Sequence, residues 1–220
     1  MINSPYGITI TGGKNRLKAN QLCLESLVKH TDLPYRLIWH HTCEPEMALR
    51  DEATKYLIEA YQAVKIHHLF LHRPEDDWYV LFEANISAKI FLEVIPHRAV
   101  QRSEWFIHAT DDMEFQPNWL SHSMKTIEAF QDLKIGMWSP YRPPEHPMIE
   151  KLTRGDYSIW TYCSIAPRCM IMKLDLFRDL GFWEVQQGYM ADWLMIKTLE
   201  SHGYQHAVID GYKVLHKDFG

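Results

Sequence analysis

Strand-like and helix-like segments alternate along the first half of the chain, and this alternation constrains the fold more than any other feature. Residues 7–11 and 35–39 are short apolar runs typical of strands, and residues 17–29 between them show an amphipathic helical pattern. A helix that links two neighbouring strands is typical of a parallel sheet with crossover connections. The pattern therefore predicts an α/β protein.

Further segments follow the same two patterns along the rest of the chain. We expect helices at residues 45–61, 85–95, 118–130, 174–180 and 190–202. We expect strands at residues 64–71, 104–110, 135–139, 163–172, 204–208 and 212–215. Residues 140–161 begin with a cluster of prolines and are predicted to form a long loop, which is typically a functional or mobile segment.

Length and composition favour one folded domain without a nucleic-acid partner. The chain has 220 residues, of which 46% are hydrophobic and 23% charged, as in ordinary globular domains. Its net charge is −5 and it has no Lys- or Arg-rich run, so no nucleic acid is expected to bind.

No apolar stretch approaches the ~20 residues of a membrane span, and residues 1–6 lack a signal-peptide pattern. The four cysteines form no C-x-x-C pair, which indicates reduced thiols; we expect a cytoplasmic protein without an integral membrane segment.

Two adjacent carboxylates follow the apolar run of residues 105–109. Asp111 and Asp112 stand where this strand is expected to end, and a helix that begins after Pro117 follows them. Ligands of open α/β sheets bind outside the carboxyl ends of strands, and carboxylate oxygens suit Mg²⁺ or Mn²⁺. The same residues would also fit a solvated acidic turn in which an aspartate caps the next helix.

Residues 110–120 resemble the D-x-D region of inverting GT-A glycosyltransferases of the family-2-like group, in which an apolar strand leads into an acidic triplet, a proline and Trp-Leu. Further segments resemble motifs of this family in the same order, at residues 8–16, 36–43, 85–89, 180–184, 190–194, 203–204 and 214–216. The resemblance covers about the whole chain. It implies the GT-A fold, a Rossmann-like three-layer sandwich with a mixed central sheet. It also implies a single domain over residues 1–220, with a nucleotide-binding half at 1–112 and an acceptor-binding half at 113–220.

The resemblance implies a metal-dependent transfer of a sugar from a nucleoside diphosphate sugar to an acceptor hydroxyl, with inversion. Asp112 matches the last carboxylate of D-x-D and His216 the terminal histidine, so these two side chains are expected to hold Mn²⁺ or Mg²⁺. Thr110 stands at the first acidic position, and Asp111 takes the middle place in preference to Glu114. The competing interpretation of His216 is an ordinary surface residue.

The resemblance also assigns roles to residues around the metal. Asp192 is the remaining acid of a Glu-Asp motif whose first position is Ala191, and it is expected to act as the general base; a helix N-cap is the alternative. Trp160 and Trp183 are candidates for stacking on the acceptor sugar. Candidates for contacts with the nucleotide or its phosphates are Thr11, Lys14, Arg16, His41, Arg73, Lys89 and Asp111.

Two other classes remain open at this point. Histidine patches at residues 40–41, 67–68 and 72 suit a zinc-binding hydrolase, although they lack an H-E-x-x-H spacing. Thr110 and Ala191 stand at positions that are acidic in the family, which would suit a nucleotide-sugar-binding protein with lost or reduced catalysis. A nucleotidyltransferase is disfavoured, because residues 11–16 only faintly echo its Gly-rich loop.

Overall fold

The structure is a computed structural model. It describes residues 4–13, 15–43, 50–72, 87–88, 90–91, 103–142, 148–162, 168–180, 191–211 and 213–219, and the statements below concern these residues. For Tyr162 and residues 191–194 only the backbone is described.

Eleven strands and five helices are delimited within the described residues. The strands are β1 (Tyr6–Gly13), β2 (Tyr35–Thr42), β3 (His68–His72), β4 (Trp105–Thr110), β5 (Met113–Phe115), β6 (Ile135–Ser139), β7 (Met148–Arg154), β8 (Tyr157–Tyr162), β9 (Cys169–Lys173), β10 (Gln205–Ile209) and β11 (Val214–His216). The helices are α1 (Leu17–His30), α2 (Glu52–Gln62), α3 (Trp119–Ala129), α4 (Leu174–Asp179) and α5 (Ala191–Ser201). Most predicted elements are present, with ends that differ by a few residues.

Nine strands form one mixed sheet in the order β3-β2-β1-β4-β9-β6-β10-β8-β7, and β11 pairs with β5 in a second sheet. β1 runs parallel to β2 and β4, whereas β9 runs antiparallel to β4 and β6. The carboxyl ends of β1, β2 and β4 therefore lie at the same edge of the sheet. The predicted α/β class with a mixed central sheet is confirmed.

Hydrophobic cores cover both faces of the nine-stranded sheet. Ile8 of β1 belongs to one core, together with apolar residues of α1, α2 and α3. Phe106 of β4 belongs to the other core, together with Leu199 of α5 and residues of α4. Since successive side chains of a strand point to opposite faces, Thr9 points away from the first core, and its hydroxyl lies 2.7 Å from Ser87 Oγ. Helices pack on both faces and produce three layers.

The prediction of a loop at residues 140–161 is wrong over most of the described part of this segment. β7 and β8 form an antiparallel hairpin at one end of the sheet, and Gly155 turns the chain between them with a φ of 56°. β7 is exposed over most of its length on both faces. Its sequence therefore lacks the alternation of apolar and polar residues by which a half-buried strand is recognised.

Two elements begin later than predicted. α2 begins at Glu52 and not at residue 45, because Asp51 is its N-cap and accepts a hydrogen bond from the Thr54 backbone N–H at 2.8 Å. β3 begins at His68 and not at residue 64, since residues 64–67 form turns and bends.

Some predicted elements are described only in part. Of the helix expected at residues 85–95, residues 87–88 and 90–91 are described and are helical. The strand expected at residues 163–172 is observed from Cys169, and residues 163–167 lie outside the described part of the chain. Among the described helices, none has the length and apolar character needed to cross a membrane.

Candidate functional site

A cleft of about 550 Å³ lies beside the end of β4. It is lined by the first turn of α1 and the residues just before it, by Asp112, and by His216 and the three residues that follow it. Arg16 is the N-cap residue of α1, no side chain caps this helix, and its first turn contains no acidic residue. The free N–H groups and the helix dipole give this end of α1 a partial positive charge that favours anions.

The pairing of two very short strands brings His216 to Asp112. β11 runs antiparallel to β5 and places His216 opposite Met113, and the backbone N–H of Lys217 donates to the Asp112 carbonyl oxygen at 2.9 Å. As a result, His216 Nε2 lies 3.4 Å from Asp112 Oδ2. Two side chains separated by more than a hundred residues thus meet in one cleft.

Each carboxylate oxygen of Asp112 has its own hydrogen-bond donor. Thr110 Oγ1 donates to Oδ1 at 2.5 Å, and Arg16 Nη2 donates to Oδ2 at 3.0 Å. Burial alone would raise the pKa of Asp112, but the hydrogen bonds from Thr110 and Arg16, together with the charge of Arg16, bring it below the ordinary value of an aspartate. Asp112 is therefore ionised at neutral pH and available to a cation.

Asp111 lies beneath Asp112 and is completely buried. Its Oδ1 lies 2.8 Å from Arg16 Nη1, so one guanidinium spans both aspartates. Burial raises the pKa of Asp111 to about 7; Arg16 opposes this shift and the Asp112 charge adds to it. Gly12 leaves room for this side chain, since a Cβ at position 12 would lie 2.5 Å from Asp111 Oδ2.

Arg168 is a member of the site that the sequence interpretation missed. Its Nη1 contacts His216 Nε2, and its carbonyl oxygen accepts a hydrogen bond from the Thr110 backbone N–H at 3.0 Å. Because a guanidinium N–H can only donate, Nε2 is the accepting nitrogen of this contact. The predicted strand of residues 163–172 placed Arg168 inside a strand, whereas it precedes β9 and lies at the end of β4.

The predicted nucleotide-contact residues are dispersed. Arg16 lines the cleft, whereas Thr11 is buried and its hydroxyl lies 3.2 Å from His108 Nε2. His41 is buried at the end of β2, and its Nε2 lies 3.0 Å from Thr54 Oγ1. Lys14, Arg73 and Lys89 lie outside the described residues.

The predicted catalytic and acceptor residues are only partly visible. Asp192 is the second residue of α5, and its side chain is outside the description, as is the whole of Trp183. Trp160 lies on β8, four strands from β4 in the sheet, with Lys151 Nζ 5.3 Å from its ring centroid.

The donor atoms present fit a divalent cation that shares its coordination with a ligand. Among the described residues, no three His, Cys, Asp or Glu side chains gather as one metal group. Asp112 Oδ2 and His216 Nε2, however, are 3.4 Å apart, and adjacent ligands of an octahedral Mg²⁺ lie about 2.9 Å apart. Two protein ligands leave the other positions for phosphate oxygens and water, which is how Mg²⁺ usually binds at phosphate sites.

Three residues of the histidine patches make hydrogen bonds within the fold. His40 Nδ1 lies 2.7 Å from His72 Nε2, and His40 Nε2 lies 2.6 Å from Ser87 Oγ. His67 Nδ1 accepts from the Leu37 backbone N–H at 3.1 Å. These ring nitrogens are therefore engaged in hydrogen bonds, whereas a zinc site would need them as ligands.

Comparisons with solved structures identify the fold. No family model matches the sequence, and no curated protein matches it. The crystal structure of GalNAc-T7 with UDP, GalNAc and Mn²⁺ superposes with a TM-score of 0.67 at 12% identity, over 96% of this chain and 43% of that one. S. aureus TarS in complex with UDP-GlcNAc gives a TM-score of 0.62 at 15% identity, over 98% and 59% of the two chains.

A third solved structure agrees with these two. The mannosyltransferase PcManGT from Pyrobaculum calidifontis, in complex with GDP-Man and Mn²⁺, gives a TM-score of 0.57 at 13% identity, over 96% of this chain and 60% of that one. The chain thus spans about half the length of the structures it resembles. The shared architecture confirms the predicted GT-A fold.

Proposed function

We propose that this protein transfers a sugar from a nucleoside diphosphate sugar to an acceptor hydroxyl, with inversion, and that Mn²⁺ or Mg²⁺ held by Asp112 and His216 assists the transfer. The observation that carries the proposal is the 3.4 Å approach of Asp112 Oδ2 to His216 Nε2 in a cleft bordered by α1. The GT-A fold supports it, since the solved structures that share this fold include complexes with UDP-GlcNAc and with GDP-Man and Mn²⁺.

The residues of the cleft suit a diphosphate. When bound, the cation would neutralise charge on the leaving diphosphate. Thr110 holds the carboxylate of Asp112 by a hydrogen bond to Asp112 Oδ1, and Asp112 Oδ2 is directed at His216. Arg16, Lys18 and the first turn of α1 add positive charge along the cleft, where phosphate oxygens accept charge-assisted hydrogen bonds.

Asp192 is proposed as the general base that accepts the proton of the acceptor hydroxyl. The backbone of Asp192 lies in the first turn of α5. As the base, its carboxylate would remove the proton while the hydroxyl attacks the anomeric carbon from the face opposite the diphosphate, and one such displacement inverts that carbon. Trp160 and Trp183 remain candidates for acceptor binding.

Donor hydrolysis and nucleotide binding test the proposal together. The purified protein is incubated with UDP- and GDP-sugars and Mn²⁺, and release of the nucleoside diphosphate is measured. Binding of UDP and GDP is measured by thermal shift with and without Mn²⁺, since a ligand of the native state raises apparent stability. We expect His216→Ala and Asp112→Asn to abolish the Mn²⁺-dependent shift. Asp132→Asn is the matched control, because this aspartate is exposed and pairs with Arg154 outside the cleft.

A nucleotide-sugar-binding protein without transfer is the second candidate. It is favoured by Thr110 at a position that is acidic in the family and by the burial of Asp111, which together leave Asp112 as the one carboxylate of residues 110–112 that lines the cleft. Under this alternative, nucleoside diphosphates would still stabilise the protein with Mn²⁺, but no donor in the panel would be hydrolysed or transferred.

A further inference from the structure

His216 Nε2 is already occupied in this structure by a positively charged side chain. A neutral imidazole nitrogen has one lone pair, in the plane of the ring, and Arg168 Nη1 contacts Nε2 as a donor. A metal ion bound to Nε2 would use the same lone pair. A guanidinium and a cation therefore cannot hold this nitrogen at the same time.

We propose that Arg168 masks His216 and exchanges with the divalent cation: when the ion binds Nε2, the guanidinium of Arg168 is released and binds the diphosphate of the donor. This inference rests on the proposed function, because it takes Asp112 and His216 as the metal ligands. It adds a residue, Arg168, and an order of events that the proposed function does not contain.

The backbone keeps Arg168 beside the cleft after its side chain leaves His216. Its carbonyl oxygen is hydrogen-bonded to the Thr110 backbone N–H at 3.0 Å, and the next residue, Cys169, pairs with Ala109 of β4. The released guanidinium thus stays at the end of β4, where the phosphates would bind. A guanidinium matches phosphate oxygens with two parallel hydrogen bonds, so the diphosphate is a suitable new partner.

Arg16 does not compete with the metal in the same way. It donates to Asp112 Oδ2 at 3.0 Å, but an ionised carboxylate has about four lone-pair sites and accepts from several partners at once. Asp112 can therefore keep Arg16 and bind a cation, whereas His216 cannot keep Arg168. The exchange is specific to the pair of Arg168 and His216.

Binding of Mn²⁺ alone tests the masking step without any sugar donor. Free Mn²⁺ is measured by electron paramagnetic resonance in titrations of the wild type, Arg168→Met, His216→Ala and the double variant. Arg178→Met is the matched control, since this arginine is on α4 and pairs with Asp175 and Asp179. Arg168→Gln serves as a second variant if Arg168→Met does not fold, as judged by circular dichroism.

We expect Arg168→Met to bind Mn²⁺ about tenfold more tightly than the wild type, because a charge-assisted hydrogen bond no longer has to be broken. This gain should vanish in the His216→Ala background, where there is no lone pair to compete for. An equal gain in both backgrounds would mean that Arg168 acts only through its charge, and it would overturn the exchange while leaving the proposed function intact.

Inorganic pyrophosphate tests the second step. At saturating Mn²⁺, calorimetry should show that Arg168→Met binds pyrophosphate about tenfold more weakly than Arg178→Met, which is opposite in sign to its effect on Mn²⁺ alone. Unchanged pyrophosphate affinity would overturn the role of Arg168 in binding the diphosphate. If the wild type and all variants fail to bind Mn²⁺, the exchange falls with the metal site, and donor hydrolysis still decides separately whether transfer occurs.

Discussion

Thr110 donates a hydrogen bond to Asp112 Oδ1 at 2.5 Å and so orients the aspartate two residues after it. This contact leaves Oδ2 directed towards Arg16 and His216. We therefore expect Thr110 to position Asp112 without adding charge to the cleft, and we expect the site to require its hydroxyl and not its shape.

Thr110→Val should weaken Mn²⁺-dependent binding of a nucleoside diphosphate by about tenfold, the effect of losing one hydrogen bond to a charged group. Valine has nearly the shape of threonine, so packing at the end of β4 should be preserved. Calorimetric titration with UDP or GDP in Mn²⁺ measures the change. Thr110→Ser, which keeps the hydroxyl, should bind as the wild type does; equal losses in both variants would contradict the positioning role.

Gly12→Ala should lower the free energy of unfolding by about 1–3 kcal/mol, because the new methyl group overlaps a packed side chain. Its Cβ would lie 2.5 Å from Asp111 Oδ2, and Asp111 is completely buried, so the carboxylate has little room to move. Urea unfolding measures the loss.

Gly13→Ala is the matched control for this prediction. Nothing lies within 4 Å of a Cβ at Gly13, although this glycine is the next residue of the same strand. We expect the free energy of unfolding of Gly13→Ala to stay within about 0.5 kcal/mol of the wild-type value. Similar losses in both variants would show that the backbone of β1, and not contact with Asp111, is responsible.

Acid should destabilise the protein through His40. Burial, with repulsion from His72 and His108, lowers the pKa of His40 to about 3, below the value of about 6.5 in an unfolded chain. The unfolded chain therefore binds the proton first, so the stabilising contribution is intact above pH 6.5 and is lost as the pH falls towards 3. At pH 5 this one group should lower the free energy of unfolding by about 2 kcal/mol.

Urea unfolding at pH 7.5 and pH 5 measures this effect. His40→Gln keeps polar atoms near Ser87 and His72 but cannot titrate, so the loss between the two pH values should be smaller than in the wild type. His30→Gln is a suitable control, because this histidine is partly exposed and lies in the last turn of α1, away from His40 and its partners. The same loss in His40→Gln as in the wild type would contradict the prediction.

The sequence predicts those strands and helices whose apolar residues follow a regular pattern of burial. β1, α1, β2 and β4 carry clear apolar patterns because one or both of their faces are buried, and each lies close to where it is predicted. β7 carries no such pattern, because most of its residues are exposed. β5 and β11 have three residues each, which is too short for any period to be recognised.

The candidate site, like the fold, was only partly predictable from the sequence. The resemblance to GT-A motifs suggests that Asp112 and His216 act together, although the pairing of β5 with β11 that brings them close is not evident from local sequence. Arg168 has no motif to identify it, and its place at the end of β4 comes from the antiparallel pairing of β9 with β4. Long-range pairing, and not local propensity, decides which charged residues share the cleft.

Asp192→Asn should abolish sugar transfer and leave Mn²⁺-dependent binding of the nucleoside diphosphate unchanged, if Asp192 is the general base. Loss of a general base typically lowers the rate about 10²–10⁴-fold, whereas loss of a helix cap costs about 1 kcal/mol of stability. The two roles therefore predict different outcomes in transfer assays and thermal unfolding. Glu200→Gln is the control, because Glu200 is an exposed acid of the same helix that pairs with Lys197. Transfer by Asp192→Asn at the rate of Glu200→Gln would exclude the catalytic role, and a lowered melting temperature with intact transfer would identify Asp192 as a structural residue of α5.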